Sequence, residues 1–215
     1  MSKADTSPQR VQRRHWAFAW LGTLLVALPI VLLLPRFFQF IQERPGLHLS
    51  DPLLERLPAV DLSVPLFTVL YAGVLVGVVW LARRPSLLLR TAQAYVLLLL
   101  LRMLTITLLT LEPPSGLVAL HDPITQVFYP ADEPFTKDLF FSGHTATLFL
   151  FVLAVQGRWL RTFMAMACAV VAIAVLVQHV HYTIDVLTAP VFAWLAWRAS
   201  AMTVRWAMPA DAADA

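Results

Sequence analysis

The sequence contains few charged residues and a single cysteine. Of its 215 residues, 13% are Asp, Glu, Lys or Arg, while 59% are hydrophobic. A soluble domain is usually about half apolar and about a quarter charged. A soluble protein of this size cannot hide so much apolar surface in its core, so a soluble globular fold is excluded. The one cysteine, Cys168, excludes an internal disulfide, and its apolar surroundings favour an inert packing role.

The chain also lacks a basic patch. Its formal net charge is +3, but the 16 Lys and Arg residues are scattered over the ends of apolar segments. This distribution argues against a nucleic-acid partner, for which basic residues cluster on one face. There is no internal repeat, low-complexity tract or linker that would divide the chain into two domains.

Six apolar segments are long enough to be membrane spans. A bilayer requires about 20 mostly apolar residues per helix. The sequence therefore predicts an all-α, polytopic membrane protein with six transmembrane helices. The first segment is too long for a signal-peptide core and has no small-residue cleavage site, so we expect it to remain as an anchor. The predicted spans are residues 16–34, 63–82, 91–111, 139–156, 162–177 and 181–197.

The basic residues predict the orientation of the chain. With the N-terminus in the cytoplasm, 11 of the 16 basic residues lie in inner segments and four in outer ones, and Arg102 lies within the third span. Basic residues favour the cytoplasmic side, so we expect an N-in, C-in topology. Residues 1–15 and 198–215 are then cytoplasmic tails of a membrane domain over 16–197. The two long connections, 35–62 and 112–138, are placed outside.

Three polar features stand where a membrane protein should have none. Phe141-Ser142-Gly143-His144-Thr145 lies near the outer end of the fourth segment, and His181-Tyr182-Thr183-Ile184-Asp185 opens the sixth. Arg102 lies deep in the third. Ionisable groups at membrane depth are costly and usually face a bundle interior or a watery cavity. These residues are therefore the candidate site.

Short connections should bring the two histidines together. Residues 157–161 and 178–180 are long enough only for tight antiparallel turns, so His144 and His181 both return to the outer face. Asp185 follows His181 by four residues, which on a helix places both side chains on one face. The carboxylate could then hold one imidazole nitrogen and leave the other free to react. His179 is expected to face elsewhere.

Several interpretations stay open at this point. His144 could be a helix-interface hydrogen-bonding residue, and His181 with Asp185 a purely structural pair. Arg102 could bind an anion or extend towards the interface, and Ser142 is better explained as a helix cap than as a nucleophile. His144, His181 and Asp185 could also form a two-histidine, one-carboxylate metal site.

The motifs resemble those of the sphingomyelin synthase family. This family is a branch of the type 2 phosphatidic acid phosphatase superfamily and includes ceramide phosphoethanolamine synthases. The resemblance covers about residues 91–197 and rests on Asp138-Leu-Phe-Phe-Ser-Gly-His144-Thr, on His181-Tyr-Thr-Ile-Asp185-Val and, more loosely, on Arg102-Met-Leu-Thr-Ile-Thr. It implies that His144, His181 and Asp185 are catalytic and that Arg102 binds the substrate phosphate. Supporting roles are implied for Asp138, Ser142, Gly143 and Tyr182, with no metal and no cofactor.

The chain departs from the family and from the wider superfamily at specific positions. Thr136-Lys137 stands where the family has Cys-Gly, which puts the substrate in question more than the chemistry. Val175 stands where the superfamily places an arginine six residues before the second histidine. An ordinary phosphomonoesterase needs several cations around a dianionic phosphate. We therefore expect a phosphodiester substrate with one negative charge.

The resemblance implies phospho-head-group transfer through a phosphohistidine on His181. The donor would be phosphatidylcholine or phosphatidylethanolamine, and the acceptor ceramide or a diacylglycerol-like lipid. With water as acceptor, the activity would be that of a phospholipase C. The alternatives are a lipid phosphatase acting on phosphatidate or polyprenyl diphosphate, and a non-catalytic lipid-binding protein. A bacterial inner membrane with a periplasmic site suits the short chain, and homo-oligomerisation stays open.

Overall fold

Six helices form the described part of the fold. The computed structural model describes residues 8–122 and 135–207. Within these ranges the chain has no β-strand, and one 3-10 turn, Leu54–Arg56, lies in the first long connection. The all-α prediction with six helices is confirmed. The helices are α1 (Pro8–Glu43), α2 (Ser63–Ala82), α3 (Pro85–Leu108), α4 (Gly143–Ala154), α5 (Arg158–Val177) and α6 (Thr183–Ala207).

Parts of the predicted tails and of the second long connection lie outside the described residues. These parts are residues 1–7, 123–134 and 208–215.

Proline explains two boundaries that the apolar pattern placed wrongly. α3 begins at Pro85 rather than at residue 91, because the fixed φ and missing N–H of proline suit the first turn of a helix. α1 continues past the predicted end at residue 34, through Pro29 and Pro35, to Glu43. Proline is tolerated inside membrane helices, where neighbouring groups satisfy the freed carbonyl.

The starts of α4, α5 and α6 also differ from the prediction, and a serine cap explains the first of them. α4 begins at Gly143 rather than at residue 139, because the Ser142 side chain caps it. α6 begins at Thr183 rather than at residue 181, and continues to Ala207 rather than ending at residue 197. α5 begins at Arg158, four residues before the predicted start.

α4 is too short to cross a membrane alone. Its 12 residues extend about 18 Å, against about 30 Å for the 20 residues of α5 and for a bilayer core. The two helices are joined by a tight turn at Gly157, whose φ of 87° suits glycine. The first turn of α4 therefore lies about 12 Å short of the far end of α5. Whatever α4 carries there is recessed within the bundle.

α4 occupies the centre of the bundle. It packs extensively on α5 and α6, and also contacts α2 and α3. The prediction that the fourth segment neighbours the fifth and sixth is confirmed. Small side chains allow this close approach, as is typical between membrane helices; those at the contact of α3, α4 and α6 are Ala94, Ala146, Ala189, Ala193 and Ala196. α1 is peripheral, packing on α3 and α6 with most of its apolar side chains exposed.

Residues 44–62 and 109–122 cover one end of the bundle, which we call the loop face. Leu47 and Leu111 pair side by side, and Gly46 is required there because a Cβ would lie 2.7 Å from the Leu111 carbonyl carbon. The buried Gln178 side chain accepts from the Leu62 backbone N–H at 3.2 Å and donates to Ser63 Oγ at 2.9 Å. The loop face is thus held in place on the helix ends by these contacts.

Length and composition agree with a membrane location. Among the described residues, four helices are long and apolar enough to span a bilayer: α1 over His15–Glu43, α2, α3 and α5. α4 is a shorter apolar helix. The chain is therefore a polytopic, all-α membrane protein, while its N-in, C-in orientation stays a prediction.

Candidate active site

His181 and Asp185 are in contact, but not through a shared helix face. His181 Nδ1 lies 3.3 Å from Asp185 Oδ2, and both side chains are almost fully buried. His181 precedes α6 by two residues, which corrects the expected helical i,i+4 geometry. Asp185 instead reaches back over the first turn of α6 and also accepts from the Tyr182 backbone N–H at 3.1 Å. This is the reciprocal half of a capping box, and it leaves Nε2 as the nitrogen that Asp185 does not engage.

His144 lies beside His181, as the short connections predicted. It is the second residue of α4, and the two ring centroids are 6.4 Å apart at an interplanar angle of 63°. The Phe67 ring of α2 meets the His144 ring edge-on at 5.7 Å. Among the described residues, the buried Nδ1 of His144 has no hydrogen-bond partner. Buried polar atoms are nearly always paired, so this nitrogen is a candidate for contact with substrate or water.

The N-termini of α4 and α6 meet at the two histidines. The Ser142 backbone N–H donates to the Asp185 carbonyl at 3.1 Å, which joins the two helix starts directly. Ser142 Oγ accepts from the Thr145 backbone N–H at 3.3 Å, so the prediction of a capping serine is confirmed. Each helix N-terminus carries about half a positive charge. Two of them converging make a natural anion site.

Arg102 is engaged with the segment that leads into α4. Its Nη2 lies 2.7 Å from Asp138 Oδ1 and donates to the Asp138 carbonyl at 3.0 Å, and Nη1 donates to the Phe141 carbonyl. The Oδ1 contact is ionic rather than a well-aligned hydrogen bond. Between these acceptors, Phe140 has a φ of 93°, a conformation uncommon for a bulky residue. Arg102 therefore holds a strained turn in place, a role that the sequence did not indicate.

Gly143 allows the guanidinium to lie against the start of α4. A Cβ at this position would be 3.1 Å from Arg102 Cζ and 3.2 Å from Nη1. The glycine of the Ser-Gly-His sequence is therefore explained by close packing rather than by backbone freedom.

A cavity of about 580 Å³ opens beside this cluster, between α1, α2, α3 and α4. Arg102, Asp138 and His144 line one end, and the opposite end reaches Leu81, Leu88 and Phe151. His181 is not part of its wall. The cavity therefore brings a ligand to His144 first, with His181 behind it.

Comparison with known proteins adds one finding. Residues 137–202 match the family model described as PAP2 superfamily C-terminal. No curated protein matches the chain. We call residues 137–202 the PAP2-matching segment.

The PAP2-matching segment contains both histidines, Asp138 and Asp185. Its similarity supports a relationship to the type 2 phosphatidic acid phosphatase-like superfamily and, at that level, a lipid phosphatase or phosphotransferase type of enzyme. Arg102 and the cavity walls from α1, α2 and α3 lie outside it. The similarity therefore bears on the catalytic half of the site.

Sequence reasoning missed three polar residues around the site: Tyr71, Asp122 and Asp51. Tyr71 of α2 lines the cavity, and its hydroxyl donates to Asp122 Oδ1 at 2.5 Å. Asp51, from the first long connection, accepts from the Thr183 backbone N–H at 2.6 Å and from Thr183 Oγ1 at 2.9 Å, and so caps α6. Burial raises the pKa of Asp51, but these hydrogen bonds outweigh it and leave that pKa below its ordinary value. No local pattern marks such contacts, which join residues far apart in sequence.

Tyr182 connects the PAP2-matching segment to the loop face. Its side chain is buried, its hydroxyl donates to the Glu112 carbonyl at 2.9 Å, and it accepts from the Leu49 backbone N–H at 3.3 Å. Glu112 also pairs with Lys137 at 2.8 Å, and the hydrogen bond from Lys137 holds the pKa of Glu112 below its usual range. Both long connections are thus fixed to the residue that follows His181.

The geometry does not favour the metal alternative. In the parts of the chain that the structure describes, no group of three or more His, Cys, Asp or Glu side chains is placed to hold a metal ion. His144, His181 and Asp185 are close, but the carboxylate is directed to His181 Nδ1 and to the Tyr182 N–H. Their arrangement is that of an oriented histidine beside a second histidine.

Proposed function

We propose that the chain is a membrane-embedded transferase that moves phospho-head-groups between lipids. The observation that carries this proposal is the pairing of His144 with an Asp185-oriented His181 where two helix N-termini meet. The centroids of the two rings are 6.4 Å apart, which is close enough for both histidines to contact one bound group. A phosphoryl group between the two histidines is therefore compatible with the geometry.

The proposed reaction has two steps. His181 Nε2 attacks the phosphorus of a phospholipid diester, the P–O bond to diacylglycerol breaks, and protonated His144 gives its proton to the leaving oxygen. The head group is then held by a P–N bond on His181. In the second step, neutral His144 takes the proton of an acceptor hydroxyl, the new P–O bond forms, and the P–N bond breaks. Acid–base help of this kind is worth about 10²–10⁴-fold in rate.

The charge of the site favours a diester over a monoester. Arg102 is the one cationic side chain in the described cavity wall, and Asp138 balances it at 2.7 Å. The two helix N-termini add about one positive charge in total. A phosphodiester carries one negative charge, whereas a phosphomonoester approaches two near neutral pH. We therefore propose phosphatidylcholine or phosphatidylethanolamine as donor, and ceramide or a diacylglycerol-like lipid as acceptor.

The test is transfer of a labelled head group. The purified chain is incubated in mixed micelles with head-group-labelled donor, with and without ceramide, in excess EDTA. We expect label to move onto ceramide, or to appear as water-soluble phospho-head-group if water is the acceptor. His181→Gln and His144→Gln should each abolish both products, while His48→Gln, an exposed histidine of the loop face, should leave them unchanged. Full activity in His181→Gln would refute the nucleophile assignment.

A lipid phosphatase is the second candidate, because the matched superfamily includes such enzymes. It would act on phosphatidate or polyprenyl diphosphate through the same two histidines and release inorganic phosphate. Phosphate release from these lipids, with no product from either diester, would replace the transferase proposal with this one.

A further inference from the structure

The cavity continues far beyond the catalytic groups. Along α3 it extends from Arg102 to Leu88, 14 residues or about 21 Å, and along α2 from Tyr71 to Leu81, ten residues or about 15 Å. Half of a bilayer's hydrocarbon core is about 15 Å thick. The cavity is therefore about as deep as the acyl layer of one leaflet.

Below its polar end the cavity wall is almost entirely apolar. The hydroxyls of Thr91 and Thr147 donate to carbonyls of their own helices, Leu87 and Gly143, both at 2.7 Å. They therefore present little polarity to a ligand. An apolar acyl chain attached to a phosphate at the polar end, beside His144, matches this division of the wall.

The acyl chain of a lipid can enter the cavity from the side of the helix bundle. Leu34, Phe37 and Phe38 of α1 form one wall, while α1 packs on α3 and α6 and makes no extensive contact with α2. The sparse packing between α1 and α2 would leave a lateral route to the lipid around the bundle. A lipid substrate would then not need to leave the bilayer to bind.

Phe151 lines the far end of the cavity together with Leu81 and Leu88. Its ring is buried among Leu81, Val155 and Met164, and it forms the cavity end opposite His144. It fits there because residue 77 is glycine: a Cβ at Gly77 would lie 2.4 Å from Phe151 Cδ1. The position of the Phe151 ring therefore depends on the absence of a side chain at Gly77.

We propose that Phe151, seated on Gly77, sets the longest acyl chain that the donor lipid can place in the cavity. This proposal rests on the proposed function in taking a lipid phosphate beside His144, at the polar end of the cavity, as the anchor. Each methylene that enters an apolar site tightens binding about fourfold. Affinity should therefore increase with chain length until the chain reaches Phe151, and then level off.

The experiment measures binding without turnover. n-Alkylphosphonates of increasing length, whose P–C bond neither transfer nor hydrolysis breaks, compete with a fluorescent alkylphosphonate for the full chain in micelles of fixed composition. We expect a plateau at a defined chain length in the unmodified protein. Phe151→Ala should move the plateau to longer chains, and two extra accommodated methylenes would tighten binding of those chains about 15-fold. Gly77→Ala should push the ring into the cavity and shorten the limit.

Matched controls separate this effect from general loosening. Phe149→Ala removes a phenyl ring two residues away on α4 that does not line the cavity, and Gly22→Ala adds a methyl group where nothing lies within 4 Å. Both should keep the original plateau. A shift in the same direction for Phe151→Ala and Gly77→Ala, or no plateau in the unmodified protein, would overturn the proposal.

Failure of the proposed function would look different. If the plateau moves as expected but no head group is transferred, the chain-length role of Phe151 stands and the assigned reaction is wrong. If transfer occurs with no dependence on donor chain length in any of these variants, the reaction stands and the role of Phe151 is wrong.

Discussion

Replacing Arg102 with methionine distinguishes two roles for this residue. In the structure its guanidinium is nearly inaccessible and contacts the Asp138 carboxylate and two carbonyls of the turn before α4. Removing one partner of a buried ion pair costs about 3–5 kcal/mol. Since the Asp138 side chain is 31% exposed, water recovers part of that cost. We expect a loss of about 2–4 kcal/mol, which for a chain of this size lowers Tm by about 5–15 °C.

The assay combines thermal unfolding with head-group transfer. If Arg102 positions the turn, Arg102→Met should lower both Tm and activity, and the double variant Arg102→Met/Asp138→Leu should recover part of Tm because no unpaired carboxylate remains. Arg102→Lys keeps the positive charge but should recover only part of Tm and activity, because lysine cannot reach all three acceptors. An unchanged Tm with a strongly raised KM would refute this reasoning and return Arg102 to direct phosphate binding.

Two further predictions concern the loop face. Hydrogen bonds to Thr183 lower the pKa of Asp51 from 3.8, so its stabilising contribution is complete above about pH 4 and is lost as the pH falls through the lowered value. Asp51→Asn should therefore lower Tm at neutral pH and reduce the decrease in Tm on acidification. Equal acid sensitivity of both proteins would contradict this. The second prediction uses a Cys168→Ala background, in which an added cysteine is the one thiol of the sequence. An impermeant maleimide should label Ser50→Cys of the loop face in intact cells but not Arg83→Cys between α2 and α3, since the loop face is predicted to lie outside. The opposite labelling pattern would invert the topology.

The sequence predicted the helices well because the membrane imposes a strong constraint. Every span must be apolar and helical, so six segments could be recognised from composition alone. The boundaries were less certain because they depend on local polar contacts. Ser142 caps α4, Asp51 caps α6, and Asp185 accepts from the Tyr182 N–H just before α6. Ser142 and Asp185, two residues of the motifs that indicated the site, therefore lie at the starts of these helices.

The contact between His181 and Asp185 was expected for the wrong geometric reason. A four-residue spacing brings side chains together on a helix, and it also does so when the later residue folds back over a helix start, as Asp185 does. Arg102 is the converse case. Its depth in α3 indicated a functional charge, but nothing local could indicate that Asp138 and Phe141, more than 30 residues away, would engage it. Long-range pairing of this kind depends on the packed bundle.

The recessed start of α4 connects the fold with the chemistry. Because α4 is only 12 residues long, its N-terminus, with His144, lies inside the bundle rather than at the bilayer surface. Field strength from helix ends and from Arg102 is greater there than in water, since the local dielectric is low. The same position places His144 at the polar end of a cavity whose other walls are mostly apolar. A longer fourth helix would move His144 towards its outer end and away from both His181 and the apolar cavity. The short helix is therefore what allows one site to hold a phosphate and an acyl chain together.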